Sequence, residues 1–135
     1  MSRIYFGEYH STVTDDHYIF LPEQWNLPES VYYAFVEDES KIRYLCCSDN
    51  KDTLLNVNNN GNILTRGKLA IAKENKLLLS DEFLEYMRKR KREGDIVCYG
   101  NIDRFEIWLS EELKLIENSI DTQGIEKELQ ELGVF

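Results

Sequence analysis

Apolar and polar positions alternate in short runs along this chain, and few runs are long enough for a helix. RIYF (3–6) and EYHSTV (8–13) flank Gly7 and read as strand, kink, strand. TDDH (14–17) is a turn, because Asp side chains bond their own backbone. YIFL (18–21) is a short strand ended by Pro22, which opens a helical turn at PEQW. VYYAFV (31–36) and IRYLCC (42–47) form a hairpin around EDESK. The Asn-rich stretch 48–62 reads as a loop. Beyond it, KLAIA (68–72) and KLLL (76–79) are strands around the turn KEN. SDEFLEYMRKRKRE (80–93) is a helix, capped by Ser80 and stopped by Gly94. DIVCYGNIDRFEIW (95–108) is a second hairpin. Its Phe105 and Ile107 face the core, Arg104 and Glu106 face away, and Trp108 leaves the strand to pack under the C-terminal helix. Residues 109–120 and 121–132 carry helical apolar spacing, the second through Ile125, Leu129 and Leu132.

This order is a repeat. YIFLPEQW (18–25) aligns with KLLLSDEF (76–83) at an offset of 58. Each copy, about 4–49 and 66–112, has too few strands to bury a face alone. The expected fold is therefore mainly β with short helices: one pseudo-two-fold barrel made of two interlocked halves.

Composition narrows the function. The chain is 42% apolar and 30% charged, which suits one globular domain. No apolar run could span a membrane or serve as a leader, so a cytoplasmic home is expected. Cys46, Cys47 and Cys98 lack metal-ligand or disulfide spacing and read as small core residues. The net charge of −9 argues against nucleic acid, but it is segregated. Residues 66–92 hold nine Lys/Arg against four Asp/Glu. Neither a nucleophile elbow nor a phosphate-binding loop is present, so no enzyme, cofactor or small-molecule substrate is expected. His10 and His17 lack the convergent set that a metal needs.

GEYHSTVTDDHYIFLP (7–22) and DIVCYGNIDRFEIW (95–108), in that order and with the repeat between them, resemble the MraZ family of SpoVT/AbrB-type regulators. The resemblance covers residues 4 to about 116 and implies a double-ψ or swapped-hairpin barrel at 1–116, with 117–135 a helical tail. It also implies self-association and DNA-binding transcriptional control, and so a place at the nucleoid. The family's D-x-x-x-R contact motif falls on Thr14 and Tyr18 in the first half, and on Ala72 and Lys76 in the second. Only Lys76 is cationic. The expected DNA contacts are Lys73, Lys76, Lys68 and Arg66; the plainer reading makes them a solvated hairpin edge. RKRKR (88–92) is read as a helix C-terminus facing an acidic tail rather than as a nucleic-acid patch. The other functional reading is an interaction module on the same fold, acting through a protein partner or co-assembly.

Overall fold

The computed structural model describes residues 5–55, 61–90 and 95–114. It is mainly β: eight antiparallel strands form a nearly closed barrel with a few short helices. The strands are β1 (Tyr5–Thr12), β2 (Tyr18–Phe20), β3 (Ser30–Asp38), β4 (Arg43–Ser48), β5 (Gly61–Ala72), β6 (Lys76–Leu78), β7 (Asp95–Ile102) and β8 (Arg104–Leu109). Helix α1 (Lys51–Leu55) follows β4, and α2 (Asp81–Arg90) follows β6. Short 3-10 turns occupy Glu23–Trp25 and Lys73–Asn75. The strand order is β1-β7-β8-β4-β3-β5-β6-β2, and the end strands β1 and β2 touch.

That order is unchanged when the two halves are exchanged. The first strand of each half pairs with the third strand of the other, as β1 with β7 and β5 with β3. The two short strands meet around a centre where Ile19 faces Leu77, both wholly buried. Leu21 N–H donates to the Asn75 carbonyl at 2.9 Å, and Leu79 N–H donates to the His17 carbonyl at 3.1 Å, the same bond made twice. Neither half can close its own barrel wall, so the fold needs both.

The core follows from strand alternation. Phe105 and Ile107 point inward and are fully buried, as their spacing predicts. Glu106 points outward, half covered, and accepts from Trp108 Nε1 at 3.0 Å; burial pushes its carboxyl above the usual range. Two aromatic plugs, Trp25 and Phe83, occupy matching repeat positions. Trp25 packs on Tyr5, Tyr9 and Phe105, with ring centroids 5.1–5.5 Å away. Phe83 packs on Phe35 and Tyr86. Ser80 caps α2 as its position implies, its Oγ accepting from Phe83 N–H at 3.3 Å. The three cysteines are free and buried, and burial pushes the Cys46 and Cys98 thiols up to about 12.

Four expectations need correction. The stretch at 3–13 is one strand from Tyr5, because Gly7 at φ +99° bends it without breaking its pairing to β7. Trp108 stays in β8, stacking flat on Tyr44 with centroids 4.1 Å apart on the outer face, while it does pack against Leu113 of the helical segment that follows, as expected. The second-half strand KLAIA begins earlier, at Gly61, since β3 supplies partners along that whole length. The loop 48–62 contains α1, started by Asn50, whose Oδ1 accepts from Asp52 N–H at 3.0 Å. A short helical segment at 110–114 follows β8; the tail readings beyond it, and KRE at 91–93, lie outside the described residues.

Candidate nucleic-acid interface

β5 turns its odd residues inward at Leu69 and Ile71 and its even residues outward, so Arg66 and Lys68 project from one face. β6 turns Leu77 inward and Lys76 to that same outer side. Lys73 is exposed at the connecting turn. In that turn Glu74 and Asn75 sit at φ +65° and +55°. Asn75 suits this left-handed backbone and fixes it, donating from Nδ2 to the Pro22 carbonyl at 2.8 Å. All four predicted residues thus share the outer surface of β5–β6. With a rise of about 3.3 Å per residue, Lys68 and the turn at Ala72 are roughly 13 Å apart.

Two features mark these cations. The first is electrostatic. Lys41, Arg43, Lys89, Arg90 and Arg104 each pair with a carboxylate. Among the described residues, Arg66, Lys68, Lys73 and Lys76 make no such pair, nor do Lys51, Arg88 and Lys114; what distinguishes the four is that they lie together on one face. The second, for Lys68 and Lys76, is a footing on aromatic rings, which the carboxylate-paired Arg43 and Arg90 also have. Lys68 Nζ lies 4.9 Å from the Tyr32 ring centroid, and Lys76 Nζ lies 4.8 Å from Tyr18 and 5.8 Å from Phe20. Ring faces attract a cation without cancelling its charge, so the ammonium groups are placed but still available.

The repeat reverses this charge. At the offset of 58, set by Ile19 and Leu77, Arg66 corresponds to Glu8, Lys68 to His10 and Lys73 to Asp15. His10 Nε2 lies 3.8 Å from Glu8 on that face. Asp16, in the first-half turn, accepts from Thr14 Oγ1 at 2.5 Å; this bond holds its carboxyl below the usual range, with Lys76 helping. The basic second-half turn therefore sits beside an acidic first-half turn, which weakens the field at Lys73 and Lys76.

Arg66 and Lys68 lie further from those carboxylates, on the rim of a cleft. α1 packs Leu54 over the outer face of β3 and β4, against Ala34, Val36 and Cys46. Between α1 and β5 this leaves a cavity of about 260 Å³, floored by Tyr32, Leu54 and Gly67 and rimmed by Lys51, Arg66 and Lys68. Lys51 also makes no ion pair among the described residues. The sequence reading had not singled out Lys51, Tyr32 or Leu54. A run of Asn, Asp and Lys hid the helix, and Asn50 ahead of KDTLL was its one signal.

The described part of the remaining basic run, Arg88 to Arg90, forms the last turn of α2. Lys89 pairs with Glu85, while Arg90 Nε reaches the buried Glu112 at 3.4 Å. Glu112 also accepts from the Tyr86 hydroxyl. His17 lies at φ +70° in its turn. Among the described residues, no three His, Cys, Asp or Glu side chains converge as a metal set. No helix among them is long and apolar enough to cross a membrane. Comparison with protein-family models finds none that matches this chain, and comparison with curated proteins finds no match either.

Proposed function

We propose that this chain is a nucleic-acid-binding regulator of the MraZ type, holding DNA on the outer face of β5 and β6. The single observation that carries this reading is the set of cations without carboxylate partners on that face, Arg66, Lys68, Lys73 and Lys76. Phosphate is the counter-charge such a set takes, and each contact releases condensed ions. The interlocked halves support a SpoVT/AbrB-like swapped-hairpin barrel. The lost arginine fork at Tyr18 makes the contact sequence-tolerant, since lysines read phosphate and not base edges.

The test is duplex binding across a salt series for the wild type and for Lys73→Ala/Lys76→Ala. The double variant should weaken binding evenly across sequences and flatten the log–log salt slope by about 2. Failure of the wild type to bind at low salt ends this reading.

The charge reversal supports a second reading, a self-assembling interaction module. The basic face at Arg66 and Lys68 matches the acidic face at Glu8 on another copy, a head-to-tail contact that closes into rings or runs on as filaments. Light scattering should then show Arg66→Glu/Lys68→Glu as smaller than the wild type. Adding Glu8→Lys in the same chain should restore size, because both faces then swap sign. A wild type that is monomeric at micromolar concentration removes this reading.

A further inference from the structure

The cleft beside α1 has a feature that the rest of the basic face lacks: an apolar floor under convergent cations. Tyr32 supplies a ring, Leu54 and Gly67 supply the base, and Lys51, Arg66 and Lys68 stand around it. Tyr33 also borders the cleft, beside Gly67. On the matching face of the first half Lys114 stands beside His10 and Asp95, without the three-cation cluster. There Val97 takes the place opposite His10 that Tyr32 takes opposite Lys68, and Val97 is covered by Trp108 and Leu113. The Tyr32 ring and the three-cation cluster occur together on the α1 side of the barrel.

We propose that this cleft is a nucleotide pocket, taking one unstacked base of a single strand against Tyr32 while Lys51, Arg66 and Lys68 hold the flanking phosphates. The proposal rests on the nucleic-acid reading above and narrows its substrate from duplex to single strand. Size supports one base. A cavity of about 150 Å³ holds one benzene ring, so 260 Å³ accepts a base and part of its sugar but not a second base. Charge supports a phosphate neighbour, as the three rim cations are unpaired among the described residues. The energetic order also favours exchange at the ring. Lys68 covers the Tyr32 face in the free protein. Such an exposed cation–ring contact is worth about 2- to 5-fold, whereas stacking a base on a protein ring is worth about 5- to 150-fold. The base displaces the ammonium, and the ammonium moves to phosphate. A duplex gains none of this. Its base faces are already stacked, and a concave slot offers nothing to a major groove that takes a protruding helix or ribbon.

The experiment is fluorescence anisotropy with a labelled oligo-dT of 12 or so nucleotides and with its dA·dT duplex, at matched salt, on the full chain. Single strand should bind at least about 10-fold more tightly than duplex. Tyr32→Leu should lose about 5- to 150-fold on the single strand, leave duplex binding within about two-fold and leave the salt slope unchanged. Tyr32→Phe should retain wild-type affinity. Arg66→Ala/Lys68→Ala should instead flatten the salt slope. A bromouridine-substituted strand should photocrosslink wild-type protein at Tyr32, a readout independent of any variant's folding. Duplex bound as tightly as single strand, a neutral Tyr32→Leu or a crosslink confined to other residues overturns the pocket and leaves the nucleic-acid reading standing. Absence of binding to either form overturns both.

Discussion

Trp25→Ala should lower unfolding free energy by about 4 kcal/mol in denaturant titrations, the middle of the range for aromatic-to-alanine changes in a core. The residue is 3% exposed and meets three other rings, two of them edge-on. Such aromatic pairs add about 0.5–1.5 kcal/mol beyond the area they bury. Its Nε1–H also donates to the Phe6 carbonyl at 3.1 Å, so truncation strips a partner from β1. The cavity cannot collapse easily. Tyr5 and Phe105 are on strands held in place by ladders, and Tyr5 is tied by its hydroxyl to Asp49 at 2.8 Å. A domain of this size has roughly 5–15 kcal/mol to lose, so the variant sits near the threshold of folding. Trp25→Phe, which keeps a ring, should cost less than half as much. A loss below about 1 kcal/mol for Trp25→Ala would show that the site repacks, against the interlocked arrangement of the two halves.

Trp25 and Phe83 also show why the architecture could be read from the chain. Their equivalence was visible as PEQW against SDEF, and the strand alternation before each was clean. Strands with one wet face announce themselves, as in RFEI, where Arg104 and Glu106 alternate with the buried Phe105 and Ile107. The cleft was not legible for the opposite reason. In β3, Tyr33, Ala34, Phe35 and Val36 are all buried, since α1 covers part of the outer face as the barrel fills the inner one. Alternation is erased there, so nothing in VYYAFV sets Tyr32 apart. A helix of five residues is too short to show a 3.6-residue period, and α1 hid inside a loop composition. The four cations were reached through the basic excess at 66–92 and the resemblance at the second-half turn; that they lack carboxylate partners is visible only in the structure. Their division into a turn pair beside Asp16 and a cleft pair beside Tyr32 needed the strand register.

Gly100→Ala should destabilise the protein by about 3 kcal/mol, although the same change at an unstrained site usually stabilises by about 0.4–1 kcal/mol through the unfolded chain. The sign is therefore diagnostic. A Cβ at Gly100 would stand 2.5 Å from the Tyr5 carbonyl carbon and 2.7 Å from Phe6 Cα, and closer still to Phe6 N. These are backbone atoms of β1, the first-half strand that completes the second half's wall. They cannot rotate away as a side chain can. β1 would have to lift from β7 along a register running from Tyr5 to Thr12, pulling a fully buried Tyr5 ring with it. Gly67→Ala is the control. Its Cβ would meet the Tyr33 ring, which can swing by a few tenths of an ångström, so its cost should be smaller. Hydrogen exchange locates the damage. In Gly100→Ala the amides of Tyr5–Thr12 should exchange faster than those of β3 and β4. A neutral or stabilised variant would mean that β1 yields freely, and the joint between the halves would then be loose. The glycine in CYGN is thus a packing requirement of the interlock, placed where one half's backbone lies against the other's.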